Sequence, residues 1–381
     1  MRFSITLLIL GVFFTLTGCS EEDGSLLGAV EGTAPSTITS PTTTVAVATT
    51  TTTEPITTTS TTTTVTSPPL VISFAGDTSL THGLASYDPF GEVDELLSAP
   101  DLTLVNLETT IAEADVGRAY AKEYTFKSPP ESTGLLTAAG IDGAALGNNH
   151  TLDFGPPALF RTLELLDEAG LARAGAGQDK AEAYAPMVFE TTGRSVAILS
   201  FSRILSLPSW AADTDRPGVA SAYEDWIPET VTAVERARTD ADVVVVMVHW
   251  GIETNYCPEP YQRVLATAWV EAGADLVVGS HPHVLQGVEQ IGDGWVLYST
   301  GNFAFPSARG PSGDSAVFEF TLSETDTTLI AHPIHVVDGR PHAASDTKLS
   351  EILSLLSDHS FGFVFNESGA AVPSAHPGTC G

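Results

Sequence analysis

Apolar and polar positions along this chain follow two rhythms: short β-rich runs, and longer segments with apolar residues every three to four positions. The first rhythm predicts strands over Leu70–Ala75, Leu102–Asn106, Ile141–Leu146, Val196–Phe201, Val243–Val248, Ala274–Val278 and Trp295–Ser299. The second predicts helices over Glu131–Ala139, Pro156–Ala169, Pro228–Arg238 and Glu259–Ala272. Several of these open with proline, which suits a first turn whose N–H groups have no helical partner anyway. Strands alternating with helices imply an α/β fold. No internal repeat is evident; residues 70–366 read as one domain and 367–381 as a C-terminal tail.

Polar residues that follow the strands carry the chemistry. Asp77 comes just after the first run in "FAGDTSL", Glu108 closes the second in "LVNLE", and Asn149 and His150 follow the third in "LGNNHTLDFG". His249 caps "VVVVMVHWG", and His281 and His283 lie in "GSHPH" after Ala274–Val278. In an extended segment, residues i and i+2 project to one side, so the last pair is expected to aim at a common point. Open α/β sheets build their sites beyond the carboxyl ends of strands. Read singly, Asp77 fits a turn residue and Asn149 a positive-φ residue. Read together with Glu108 and the histidines, they form a metal site.

Carboxylates, one amide oxygen and imidazoles suit Mn, Fe or Zn, and the lack of thiolates argues against structural zinc or iron–sulfur ligation. One or two such divalent ions, bridged by a carboxylate, can clamp a phosphoryl group and generate hydroxide near neutral pH. His150 is then free to donate a hydrogen bond to the transition state or leaving group as the catalytic residue. Asp153 either orients His150 from behind or caps the helix entering at Pro156. Gly301 and Asn302 are expected to turn beside the site, with Asn302 a candidate support for a ligand. Arg118, Lys122 and Lys127 either grip a substrate carboxylate or phosphate, or line a solvated loop. Trp250 and Trp295 read as core or pocket wall.

The ends and the charge refine this picture. The segment "MRFSITLLILGVFFTLTGCS" has one basic residue, then an apolar run too short and too near the terminus for a stable membrane span. Residues 1–19 read as a secretory signal, and Leu16-Thr17-Gly18-Cys19 resembles a bacterial lipobox in which Cys19 is diacylated and becomes the new N-terminus after cleavage. Residues 20–69, dominated by Thr, Ser and Pro from Glu31 onward, read as a disordered stalk open to O-glycosylation. A flexible coil of about 40 residues has a reach of roughly 35 Å. The expected location is therefore extracytoplasmic, held to the bacterial cell membrane by lipid. Apart from Cys19 the chain has Cys257 and Cys380, which an oxidising compartment would pair; a nucleophilic role for Cys257 lacks any local signature. With 16 basic against 47 acidic residues and a net charge of −31, the chain has no basic surface for nucleic acid. An anionic substrate must then be held by local positive charge, for which bound metal is a ready source.

The order Asp, acid, Asn-His, His, His-x-His resembles the calcineurin-type metallophosphoesterase superfamily. More closely, "FAGDTSL", "NLETTI", "YTFKSPPE", "AGIDGAALGNNHTLDFG", "HWGIE", "GSHPHVLQGVE" and "YSTGNFAF" resemble the poly-γ-glutamate capsule biosynthesis proteins of CapA type, over nearly all of residues 70–305. The resemblance implies a metallophosphatase-like four-layer αββα sandwich, two mixed β-sheets flanked by helices, with a dinuclear site at one edge. Carried over by residue, Asn149, His249 and His281 hold one metal, Asp77 and His283 the other, and Glu108 bridges. The wider superfamily opens with Asp-x-His, whereas Thr78 and Ser79 follow Asp77 here, leaving that metal without its usual imidazole; His82 is the nearest substitute. Three functions follow from these readings. They are a metal-dependent hydrolase of a phosphoester or related bond, a component of polyglutamate capsule synthesis or export within a capsule-synthesis complex, and a non-catalytic metal-binding envelope protein. The expected partners are an anionic envelope polymer or phosphoester substrate.

Overall fold

The computed structural model describes residues 68–375 and 378–380. The signal, Cys19 and nearly all of the stalk read from the sequence lie outside the described residues. Among the described residues no helix is long and apolar enough to cross a membrane.

The Val243–His249 strand shows how sequence becomes layers. Val243, Val245 and Met247 face one core, whereas Val244, Val246 and Val248 face another. An unbroken apolar run is what a strand buried on both faces requires. It lies within a six-stranded sheet ordered Val288–Ile291, Gly294–Leu297, Leu276–Ser280, Val243–His249, Arg194–Ser202 and Met187–Thr191. The four strands from Gly294–Leu297 to Arg194–Ser202 run parallel, with an antiparallel strand at each edge.

A second, seven-stranded sheet runs in the order Arg340–Ala343, Thr327–Val337, Asp314–Leu322, Leu70–Thr78, Leu102–Leu107, Gly143–Ala145 and Ala172–Ala174. Its last four members are parallel and its first three antiparallel. Leu70, Ile72 and Phe74 from this sheet join Val245 and Met247 of the other in one core between the sheets. Its outer face, through Val105, Leu107, Ala144 and Leu146, packs against helices Ser132–Ala138 and Pro156–Ala169. Helices Ile227–Asp240 and Pro260–Glu271 cover the outer face of the six-stranded sheet. The result is helix, sheet, sheet, helix, a four-layer αββα sandwich of two mixed sheets.

The expected strands and helices are present, most with ends shifted by a few residues. Not foreseen were the Asp314–Leu322, Thr327–Val337 and Arg340–Ala343 strands and the Asp346–His359 helix, which complete the seven-stranded sheet and close the side of the inter-sheet core through Ile352, Leu353 and Leu356. The division between domain and tail at residue 366 falls inside a hairpin of Phe363–Phe365 with Ala371–Pro373. Beyond it, Cys380 is disulfide-bonded to Cys257. Trp250 and Trp295 are core residues, and Trp250 Nε1 donates to the Tyr298 carbonyl at 2.9 Å.

The disulfide spans a sequence separation of 123 residues, long enough to constrain the unfolded chain substantially. The Cys257→Ser/Cys380→Ser variant is expected to unfold with about 2–5 kcal/mol less stability in denaturant titration. An unchanged midpoint would show that the tail adds nothing to the fold.

Candidate metal centre

The parallel strands of both sheets end at one edge, and the residues beyond those ends meet there. The first strand bends before it arrives: its register with Leu102–Leu107 shifts between Ala75 and Asp77, and such an irregularity re-aims the following side chain. The Asp77 amide donates to the Gly301 carbonyl at 2.9 Å, and the Phe303 amide returns a bond to the Asp77 carbonyl at 2.9 Å. These bonds stitch the seven-stranded sheet to the segment leaving Gly294–Leu297 in the other. A Cβ on Gly76 would lie 2.0 Å from the Gly301 oxygen, and one on Gly279 2.1 Å from the Tyr298 oxygen. Neither contact is possible for a real side chain, so the glycines of "AGD" and "GSHPH" permit the two backbones to close on the site.

His281 and His283 converge, but not as an extended segment would make them. Their φ angles are +96° and +55°, left-handed values that strain a residue with a Cβ. The bend, rather than strand alternation, brings their ring centroids to 5.8 Å, with His249 and His281 at 4.6 Å. The turn is held from outside: the Thr254 amide donates to the Pro282 carbonyl at 2.8 Å. The Gln286 amide group donates to the Asn255 and Cys257 carbonyls at 2.7 and 3.2 Å, so the disulfide-bonded loop braces the strained histidines.

Glu108 lies at the centre. It is fully buried, and neither carboxylate oxygen has a hydrogen-bond partner; buried His281 Nδ1 has none either. Around Glu108 Oε1 stand three imidazole nitrogens, the Nε2 atoms of His249 at 3.4 Å, His150 at 3.8 Å and His283 at 3.9 Å. These distances are long for hydrogen bonds. They match the ~3–4 Å between two ligand atoms that each sit ~2.1 Å from one ion. Ligand atoms of Asp77, Glu108 and His249 lie within 4.8 Å of one another, as do those of Glu108, His281 and His283, so Glu108 belongs to both groups. Asp77 Oδ2 also lies 3.0 Å from His283 Nδ1, and the His249 and His281 rings are neighbours, the two pairs that the resemblance implies.

Asn149 Oδ1 stands 2.9 Å from His249 Nε2. Asp77 Oδ1 accepts from Asn106 Nδ2 at 2.7 Å, and Oδ2 lies 3.0 Å from His283 Nδ1. Asn302 pins His283 from behind, with Oδ1 at 2.9 Å from Nδ1 and Nδ2 anchored on the Ser312 carbonyl at 2.9 Å. His82 is exposed, contacts Thr81 Oγ1 at 3.0 Å and does not join the cluster.

Burial, reinforced by the charge of Asp77, pushes the Glu108 carboxyl well above its usual range. Burial and the neighbouring His283 take His281 down to about 3, and burial with His281 lowers His249 strongly. Burial also acts downward on His283, but the Glu108 and Asp77 carboxylates raise it to about 10. Neutral His249 and His281, together with carboxylate oxygens that lack donors, are the chemical form in which these groups ligate a divalent cation. The residues fit one.

Behind His150 stands a support that the sequence reading left open. Asp153 Oδ2 lies 2.7 Å from His150 Nδ1, whereas Gly155 caps the Pro156 helix without any side-chain bond. Asp153 therefore orients the imidazole and does not cap. Lys122 Nζ donates to Asp153 Oδ1 at 2.5 Å, the Asn149 carbonyl at 2.8 Å and Ser206 Oγ at 3.2 Å, which uses all three of its protons. Phe126 stacks on His150 with centroids 4.2 Å apart, and its amide donates to Asp153 Oδ2 at 2.6 Å. The sequence reading grouped Lys122 with its basic neighbours and did not single out Phe126.

Comparison with known proteins follows from this geometry. A family model described as bacterial capsule synthesis protein PGA_cap matches residues 71–307. The chain is 34% identical over 223 residues to the capsule biosynthesis protein CapA of Bacillus anthracis, a match covering 58% of this chain and 52% of that one. It therefore spans about half the length of that relative. It is 29% identical over 307 residues to the PGA biosynthesis protein CapA of Bacillus subtilis (strain 168), covering 77% of this chain and 80% of the relative. Among solved structures, the crystal structure of a novel phosphatase from Mycoplasma pneumoniae is similar with a TM-score of 0.42 and 14% identity, covering 69% of this chain and 94% of that one.

Glu108→Gln removes the shared carboxylate charge while keeping its shape. It is expected to lower the number of Mn or Zn ions bound per chain, measured by calorimetric titration. Full metal stoichiometry in the variant would remove Glu108 from the ligand set.

Proposed function

From the premise that this chain belongs to the bacterial capsule synthesis protein PGA_cap family, we propose that it serves capsule or envelope polymer biosynthesis through metal-dependent hydrolysis of a phosphoester-type bond. The observation that carries the reading is the Glu108 carboxylate, buried without a donor and ringed by imidazole nitrogens at 3.4–3.9 Å. Asp77, Glu108, Asn149, His249, His281 and His283 would hold one or two divalent ions. When bound, such ions supply positive charge to a phosphoryl oxygen and lower the pKa of water.

The remaining chemistry falls to the chain's own groups. His150 holds its proton at Nδ1, because a carboxylate oxygen 2.7 Å away accepts only from an N–H. The neutral ring then presents a lone pair at Nε2 toward the centre. In this tautomer His150 is first an acceptor: it takes a proton from the attacking water and returns it to the leaving oxygen. This reverses the order expected from sequence, in which His150 acts from the outset as a donor. Asp153 stabilises the ring while it is charged, Phe126 fixes its plane, and Lys122 ties both supports to the backbone of Asn149. Asn149 and His249 keep their mutual contact, so the imidazole nitrogen and amide oxygen face the same centre.

One observation favours a second reading. Both Asp77 oxygens already have neighbours in Asn106 and His283, and Ser79 stands where the wider superfamily carries an imidazole. A centre that holds a single ion and binds polymer without cleaving it is consistent with that arrangement.

Full-length protein loaded with Mn is expected to hydrolyse generic phosphomonoesters or phosphodiesters, and His249→Ala to abolish turnover. His150→Ala should keep its metal and lose about 10²–10⁴ in rate. Metal binding without any turnover by the wild type would move the single-ion binding reading to the front, and metal loss in His150→Ala would refute the separation of roles.

The place of action is part of the proposal. Lipid on Cys19 and a stalk ending near Pro69 would hold the domain at the outer surface of the bacterial membrane. Expressed in a bacterial host, Cys19→Ala should move the protein from the membrane to the soluble fraction; an unchanged distribution would exclude the lipid anchor.

A further inference from the structure

The loop from Gly251 to Glu259 leaves the metal centre at Trp250 and carries Cys257. Its middle is bonded to the segment that bears His281 and His283. The Thr254 amide donates to the Pro282 carbonyl at 2.8 Å, and Gln286 Nε2 donates to the Asn255 and Cys257 carbonyls at 2.7 and 3.2 Å. Gln286 is fully buried, and its Oε1 accepts from Gln262 Nε2 at 3.3 Å, on the helix that follows the loop. Gln262 Oε1 in turn accepts from the Glu259 amide at 2.7 Å, which closes the relay on the far end of the loop. Thr254 has a φ of +61°, left-handed like His281 and His283, so strained backbone faces strained backbone across these bonds. Such conformations persist only where their surroundings hold them.

Two further contacts tie the middle of this loop to the fold: the Tyr256 ring 5.4 Å from that of His359, and the Cys257–Cys380 bond. The tail that carries Cys380 is itself seated. The Thr379 amide and hydroxyl donate to the Asp358 carbonyl at 2.7 and 2.9 Å, in the last turn of the Asp346–His359 helix. That helix is fixed in the inter-sheet core through Ile352, Leu353 and Leu356. The disulfide therefore clamps the bracing loop to the body of the domain. It is also within reach of solvent: both cysteines are half-buried, and Cys380 lines a surface groove of about 430 Å³ with Pro258, Arg263, Val264 and Phe361.

We propose that the Cys257–Cys380 bond is a redox switch for the metal centre, holding His281 and His283 in their ligating conformation when formed and releasing it when reduced. This rests on the metal-centre reading given above and not on hydrolysis. A thiolate of a dithiol reductant attacks Cys380 Sγ from the groove, the S–S bond breaks, and Cys257 leaves as a thiolate that takes up a proton. The second thiolate of the reductant then displaces the Cys380 sulfur, which is protonated in turn. Two electrons and two protons pass to the protein, and the reductant ends as a disulfide. Neither cysteine is a metal ligand, so the effect travels through the backbone, with Gln286 as the positioning residue. If the ligating conformation falls to about a tenth of the population, apparent metal affinity falls about tenfold. Metal loading is then confined to oxidising surroundings, because the chain holds metal weakly until the bond forms.

The test is the Mn affinity of the full-length protein with the bond formed and broken, read from free Mn by electron paramagnetic resonance. Reduction by a water-soluble phosphine, which becomes the phosphine oxide, is expected to weaken Mn binding about tenfold and leave far-ultraviolet circular dichroism unchanged; reoxidation should restore it. Cys257→Ser/Cys380→Ser should bind as weakly as the reduced protein and ignore the phosphine. Gln286→Leu should weaken Mn binding in the oxidised protein and add little in the serine variant, because both changes act through one relay. Leu70→Ala, buried at the other end of the strand that carries Asp77, should lower the unfolding midpoint and leave Mn affinity as it is. Equal affinity before and after reduction, or additive Gln286 and serine effects, would overturn the switch. So would Mn loss that tracks loss of circular dichroism, or equal weakening by Leu70→Ala, since either marks general destabilisation. Oxidised wild type that binds no Mn would overturn the metal centre, and the switch with it.

Discussion

A carboxylate sealed from water with no donor on either oxygen is the constraint on which the site depends. Glu108 is fully buried among imidazoles that stand too far away for good hydrogen bonds, and burial alone drives it toward the neutral form. A fold built only for stability would fill that position with an apolar side chain or give the carboxylate donors. The surrounding strain has the same character. His281 and His283 adopt positive φ, and the neighbouring segment is braced by Thr254, Gln286 and the Cys257–Cys380 bond. The energy stored here is retained because a dense scaffold holds it.

That scaffold works by amides and backbone rather than by charge. Asn148 Nδ2 donates to the Asn106 side chain and the Leu107 carbonyl, and Asn106 Nδ2 in turn donates to Asp77. Neutral amides orient a ligand without changing the net charge of the centre, whereas further carboxylates would add repulsion next to Glu108. Where a charge is used, at Asp153, it is balanced by Lys122 at 2.5 Å and kept on the far side of His150. The centre is thus electrically tuned for a cation, and its surroundings are close to neutral.

The same economy extends to the surface. A strongly acidic shell repels anions at long range, and most arginines are neutralised by nearby carboxylates.

Much of this was determined by the sequence alone. Strands buried on both faces have to be continuous apolar runs, so Val243–His249 and its neighbours were legible, as were the ligand-type residues that end them. Motif order pointed to the sandwich. Tertiary structure decided whatever depends on distant partners. The Asp314–Leu322 strand joins the sheet by pairing with Leu70–Thr78, far away in sequence, and no local pattern states that partner. The convergence of His281 and His283 comes from left-handed backbone held by the loop around Thr254, not from strand alternation. The sorting of Lys122 and Lys127 into support and structural residue was likewise out of reach of the sequence. A few residues of spacing say nothing about which carbonyls and carboxylates the fold brings to each cation, and it is those contacts that set what each can do.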